Sequence, residues 1–183
     1  MVGRSNVGKS SLINALTRQK IARTSSEPGK TRLANIFRVQ RGAAPAFNLV
    51  DLPGYGYAKA SREVRETFEA IAVSYLADRL PLRLCVFIVD ARHDPSERDE
   101  TLRAFLDDHG LAYVVAANKV DALGRGEAKR RVESLGRTLG RAAHGVLGVS
   151  AERGEGVTDL WNVIRAAAFG PTETSERRGN DGR

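Results

Sequence analysis

The run Gly3-Arg4-Ser5-Asn6-Val7-Gly8-Lys9-Ser10 fits the pattern G-x-x-x-x-G-K-[ST] and constrains the fold more than any other stretch of the chain. In such a loop the glycines let backbone N–H groups turn inward around a polyphosphate. The lysine reaches the β/γ oxygens, and the hydroxyl of Ser10 is placed for Mg²⁺. The pattern predicts a helix from Lys9 to Arg18, with Leu12, Ile13 and Leu16 at helical spacing, that points its positive dipole end at the same anion. A loop of this kind is the connection between a strand and the helix that follows it, so it calls for a sheet that holds both.

The remaining residues supply that sheet. Residues 19–32 are polar around Pro28-Gly29 and read as a loop. Leu33 to Gln40 alternates apolar and polar positions, and a turn then leads into Ala46 to Asp51, which predicts an antiparallel hairpin. A Gly/Tyr-rich loop at 53–60 precedes a helix starting at Ser61, with Val64, Phe68, Ile71, Ala72 and Tyr75 on one stripe. From there strands and helices alternate. Leu82 to Asp90, Leu111 to Asn118 and Gly145 to Ser150 are strands. Ser96 with Asp99 marks a capping box, Gly126 to Leu139 is a helix, and a last helix carries Val157, Leu160, Trp161 and Ile164. Uninterrupted apolar strands alternating with helices mean a mostly parallel sheet covered on both faces. Only five strands are countable, and just Met1 and Val2 precede the phosphate loop. No repeat shows at a period of 20 to 50 residues.

Composition narrows the class further. A chain of 183 residues suits one domain, expected at 1–169, and the tail at 170–183 lacks apolar side chains and is expected to be disordered. Lys and Arg number 29 against 22 Asp and Glu, a net charge of +7. That balance fits an anionic partner such as nucleic acid, and equally a basic surface that aids solubility. The single Cys85 excludes an intrachain disulfide and is expected to be inert packing in a reducing cytoplasm. The apolar run Leu84 to Val89 is far too short to cross a bilayer, and the start M-V-G-R-S-N has no secretory h-region, so no membrane partner is expected. His93, His109 and His144 lack ligand spacing, and no transition metal is expected.

Three further motifs sit at strand ends. Guanine offers N1–H and its 2-amino group side by side, and one carboxylate can accept from both. Asp121 of Asn118-Lys119-Val120-Asp121 suits that task, Asn118 can bind the base edge and brace the phosphate loop, and the Lys119 stem can lie over the ring. In Asp51-Leu52-Pro53-Gly54 the carboxylate can hold Mg²⁺ through water, and the glycine N–H can reach a γ-phosphate. A backbone N–H at Ser150-Ala151 can contact guanine O6. A polar turn would account for any one of these alone; their chain order behind the phosphate loop favours the nucleotide.

With these motifs the chain resembles the Ras-related GTPases, and one branch closely. The runs G-R-S-N-V-G-K-S-S-L-I-N-A-L, P-G-K-T-R, D-L-P-G-Y-G-Y-A, V-D-A-R-H-D-P-S and G-V-T-D-L-W look like the EngB (YihA/YsxC) family of bacterial GTPases, over residues 2 to about 169. The resemblance implies an α/β P-loop GTPase fold and binding of GTP/GDP with Mg²⁺. It also implies GTP hydrolysis, a role in assembling the large ribosomal subunit, and a need for it in division and septation. It places Thr31 as the switch threonine that joins Ser10 on Mg²⁺. The expected nucleotide-binding segments are therefore residues 3–10, Gly29-Lys30-Thr31-Arg32-Leu33, Asp51 to Gly54, Asn118 to Asp121 and Val149-Ser150-Ala151. The family usually has Thr where Asn118 stands here, and it has an N-terminal segment before the phosphate loop. By that comparison the first central strand is expected to be missing, as in a truncated gene prediction.

Catalysis is expected to use Lys9, Thr31 and Asn6. Many relatives carry a water-orienting Gln just after D-x-x-G, and here Tyr55 stands there, so intrinsic turnover is expected to be slow. Asn6 matches the position that holds K⁺ in potassium-stimulated relatives; a loop-bracing amide is the other reading. Lys129, Arg130, Arg131, Arg137 and Arg141, with Arg62 and Arg65, are candidate contacts for ribosomal RNA on the large subunit or its precursor. The chain is expected to act as a monomer. A nucleotide-gated ribosome-binding module with negligible hydrolysis, and the G domain of another ribosome- or tRNA-associated GTPase, remain as alternatives.

Overall fold

The computed structural model describes residues 1–22, 34–40, 42, 44–55, 73–76, 81–140 and 143–170. Its elements run β1 (Val2–Gly3), α1 (Lys9–Thr17), β2 (Asn35–Val39), β3 (Phe47–Asp51), β4 (Cys85–Asp90), α2 (Glu97–Asp108), β5 (Tyr113–Asn118), α3 (Arg125–Leu139), β6 (Val146–Val149) and α4 (Val157–Phe169). Strands β1, β4, β5 and β6 form a parallel sheet in the order β1-β4-β5-β6, and β2 and β3 form the antiparallel hairpin read from the sequence.

Side-chain alternation splits the apolar strands between two cores. Val86 and Ile88 of β4 with Val114 and Ala116 of β5 face Leu12, Ile13 and Leu16 of α1 and Leu160, Trp161 and Ile164 of α4. Cys85, Phe87 and Val89 with Tyr113, Val115 and Ala117 face Leu106 of α2 and Leu135 and Leu139 of α3. A strand buried on both faces has no polar positions, which is why these read as unbroken apolar runs. Trp161 meets Phe47 at 5.6 Å between centroids with the rings tilted by 45°, a core contact as expected. Cys85 is buried, and burial pushes its thiol up to about 11.

The strand count needs correction: there are six among the described residues, because Val2–Gly3 pairs in parallel with Phe87 and Ile88. The first central strand is thus represented by two residues, too short to leave a periodic signal in sequence. Its other edge is also engaged. The Met1 nitrogen donates to the Val50 carbonyl at 2.7 Å, Leu52 N–H to the Met1 carbonyl at 3.1 Å, and Ser5 N–H to the Tyr55 carbonyl at 2.9 Å. These bonds tie the hairpin to the parallel sheet through the phosphate loop itself.

Element ends fall where backbone chemistry dictates. Helix α1 stops at Thr17, one residue before the expected Arg18, which adopts a left-handed cap at φ 54. Ser96 and Asp99 form the expected capping box at the start of α2. Of the helix expected from Ser61, only residues 73–76 fall within the description, and they are helical. The tail from 171, Arg62, Arg65 and Arg141 lie outside the described residues. Among the described residues no helix is long and apolar enough to cross a membrane.

Candidate functional site

Residues 3–10 leave β1 and enter α1, so the loop sits at the carboxyl ends of the parallel strands, where α/β sheets bind their ligands. Gly8 has φ 94, a left-handed conformation that a Cβ disfavours, and an added Cβ would lie 2.4 Å from Asn118 Nδ2. Asn6 is also left-handed, at φ 67. That turn aims its carbonyl at the next strand end.

Strand β5 ends beside this loop and locks it. Asn118 is 2% exposed; its Nδ2 donates to the Val7 carbonyl at 2.8 Å, and its Oδ1 accepts from Ala151 N–H at 3.2 Å. The brace expected of Asn118 is thus made. Lys119, itself left-handed at φ 68, donates from Nζ to the Asn6 carbonyl at 2.7 Å and pairs with Asp90 Oδ2 at 2.9 Å. Asp121 lies beyond, partly exposed, in the short 3₁₀ turn Val120–Ala122. The Ser150 N–H donates to the Glu155 carbonyl at 2.9 Å, so both N–H groups of Ser150-Ala151 have protein partners.

Strand β3 delivers Asp51 to the other flank. Ser10 Oγ donates to Asp51 Oδ2 at 3.4 Å, while Oδ1 is buried with no hydrogen-bond partner among the described residues. Burial pushes the Asp51 carboxyl up, against the pull of the Lys9 charge, and pushes the Lys9 ammonium down, against the pull of Asp51. An orphaned carboxylate oxygen beside a hydroxyl is a hard-oxygen set that suits Mg²⁺. Gly54 packs so tightly that a Cβ there would lie 2.8 Å from Lys9 Nζ and 3.0 Å from Ser5 N.

Tyr55 turns away from the loop. It is 7% exposed, and its hydroxyl donates to Asp99 Oδ1 at 2.7 Å. Burial first, then the Asp99 carboxylate, raises its pKa far above the tyrosine range, so it remains a donor. Gly29, Lys30, Thr31, Arg32 and Leu33 lie outside the described residues.

Two participants escaped the sequence reading. Asp90, aligned with Asn118 across β4 and β5, anchors Lys119 and receives two hydrogen bonds from the Arg92 guanidinium at 2.9 and 2.8 Å. Burial alone would raise its carboxyl, but the bonds from Arg92 and Lys119 hold it well below the usual carboxylate range. In sequence it stands at the end of an apolar strand within the run V-D-A-R-H-D-P-S, with no sign of these partners. The other is Asp99, readable as a cap but not as a partner of Tyr55. The basic cluster is not uniform. Arg131 is committed to the Ala91 carbonyl at 3.0 Å and to Asp94 at 2.7 Å, whereas Lys129, Arg130 and Arg137 are exposed.

A glycine-bounded loop between a parallel strand and a helix, braced by an N-K-x-D strand end, defines a P-loop GTPase fold. A family model described as "50S ribosome-binding GTPase" matches residues 1–119. The chain belongs to the EngB family of GTP-binding proteins. It is 45% identical over 181 residues to the probable GTP-binding protein EngB of Anaeromyxobacter dehalogenans strain 2CP-C, covering 96% of this chain and 84% of that one. It is 44% identical over 167 residues to the corresponding Syntrophus aciditrophicus protein, covering 91% and 83%. A crystal structure of a probable GTP-binding protein engB superposes with TM-score 0.71 at 25% identity, over 91% of this chain and 96% of that one. Era in complex with MgGDPNP and a 16S ribosomal RNA fragment superposes with TM-score 0.76 at 24% identity, over 89% and 53%, and speaks for the fold alone. Membership of a GTPase family carries GTP/GDP binding and, in general terms, GTP hydrolysis.

Proposed function

We propose that this chain is a slow GTPase whose GTP-bound state binds the large ribosomal subunit or its precursor through ribosomal RNA during assembly, with division and septation depending on that work. The observation that carries the reading is the lock between Asn118-Lys119 and the phosphate loop, which joins a base-reading strand end to a phosphate cradle. Backbone N–H groups of the loop and Lys9 hold the phosphates, and Asp121 selects guanine. Ser10, with Asp51 behind it, holds Mg²⁺, and Thr31 joins them by resemblance to the family. Mg²⁺, when bound, neutralises charge on the β- and γ-oxygens. The protein acts as a monomer in the cytoplasm. Exposed Lys129, Arg130 and Arg137 on α3 supply phosphate contacts for RNA. Sucrose-gradient sedimentation with large-subunit precursors tests the partner: the chain should travel with them in a GTP analogue and stay at the top in GDP. Equal distributions would contradict it.

Slow turnover follows from Tyr55, whose hydroxyl is committed to Asp99 and cannot orient water. The Asn6 side chain is exposed and has no hydrogen-bond partner among the described residues, so bracing falls to its carbonyl. That leaves the amide to help hold a K⁺ against the phosphates. Replacing Na⁺ by K⁺ at constant ionic strength should raise single-turnover hydrolysis by roughly 10- to 100-fold, short of an arginine finger, and Asn6→Ala should remove the difference. Equal rates in both salts would shift the stimulus to a protein or RNA partner. No measurable hydrolysis in either salt or with subunits would favour the nucleotide-gated binding module.

A further inference from the structure

The Asp99 carboxylate performs two tasks at once. Its Oδ2 accepts from Ser96 N–H at 2.8 Å and Ser96 Oγ at 2.7 Å, which starts α2. Its Oδ1 accepts the Tyr55 hydroxyl at 2.7 Å across 44 positions of chain. A capping box needs only the first of these. Asp99 is 3% exposed and Tyr55 7%, so the second bond lies inside the fold, where leaving it unmade would be expensive.

Tyr55 in turn grips the phosphate loop. Its carbonyl accepts Ser5 N–H at 2.9 Å, Arg4 and Tyr55 form a parallel bridge, and Ser5 Oγ donates to the Gly54 carbonyl at 3.3 Å. The residue between Pro53 and this clip is Gly54, so close to Lys9 and Ser5 that an added Cβ would stand 2.8 Å from Lys9 Nζ and 3.0 Å from Ser5 N. Lys9 is the group that meets the terminal phosphates. The segment from Asp51 to Tyr55 is therefore fixed at one end by β3 and at the other by a buried hydrogen bond to α2.

We propose that Asp99 is a positioning residue for the GTPase site: through the Tyr55 hydroxyl it holds Gly54 beside Lys9, in the arrangement that receives a γ-phosphate. This rests on the nucleotide-binding reading above. On this proposal the clip acts on the terminal phosphate that GTP has and GDP lacks, and so discriminates between the two.

Tyr55→Phe removes the hydroxyl and keeps the buried ring. Fluorescence titration should show GDP affinity within about twofold of the parent and GDPNP affinity lower by about tenfold, the scale of one hydrogen bond to a charged group. Asp99→Asn offers one acceptor oxygen in place of two, and should show the same split. The double variant should be no worse than Asp99→Asn alone, because both changes break one bond. Equal losses for both nucleotides, an unchanged ratio in variants that melt cooperatively, or a raised GTP preference would overturn the proposal. Loss of cooperative melting in both single variants would make the pair merely structural and overturn it as well. Failure of the parent chain to bind GDP would instead remove the nucleotide reading itself.

Discussion

Gly8→Ala should lower guanine-nucleotide affinity by on the order of a thousandfold and destabilise the fold by about 2–5 kcal/mol. The expectation rests on two observations at one atom. Gly8 holds φ 94, where an alanine is strained by about 1–2 kcal/mol. Its Cβ would also stand 2.4 Å from Asn118 Nδ2, a side chain locked at 2% exposure. Asn118 cannot retreat without giving up the Val7 carbonyl at 2.8 Å and the Ala151 N–H at 3.2 Å. An unpaired buried amide adds about 1–3 kcal/mol. Urea melts at unchanged m-value report the stability term and GDP titration the binding term. A variant within about 0.5 kcal/mol of the parent that still binds GDP would mean that the phosphate loop tolerates a side chain there.

Asp121→Asn should exchange nucleotides rather than abolish binding. Guanine offers a carboxylate two donors, and xanthine replaces one of them with a carbonyl that an amide N–H can meet. Each mismatched donor is worth about 1–3 kcal/mol, so the guanosine-to-xanthosine preference should shift by roughly 100-fold or more. The fold should be unaffected, because Asp121 is partly exposed in a 3₁₀ turn and makes no contact on which a core depends. Unchanged selectivity would place the base elsewhere.

What could be read from the chain and what could not divide along sequence distance. The phosphate loop, the Asn118–Asp121 strand end and the Ser96–Asp99 box are local patterns, and each is found at its place. The buried strands were legible because being covered on both faces leaves no polar positions. β1 was not, since a pair of residues has no period; it is a strand only because β4 and the hairpin offer it hydrogen bonds on both edges. Asp90, Arg131 and the Tyr55–Asp99 bond were hidden for a related reason. Lys119 lies 29 positions from Asp90, and Arg131 lies 37 from Asp94. Nothing in local spacing distinguishes such a pair from solvated surface charges.

On the proposed reading, one cradle joins guanine recognition to phosphate binding. Displacement of a fluorescent GDP from the chain by unlabelled GDP and by ADP, in Mg²⁺, tests it most directly. ADP carries the same diphosphate but lacks the donor pair that Asp121 is proposed to read, so it should compete at least about 100-fold more weakly than GDP. Equal displacement by the two, or no binding of the labelled nucleotide, would contradict the account.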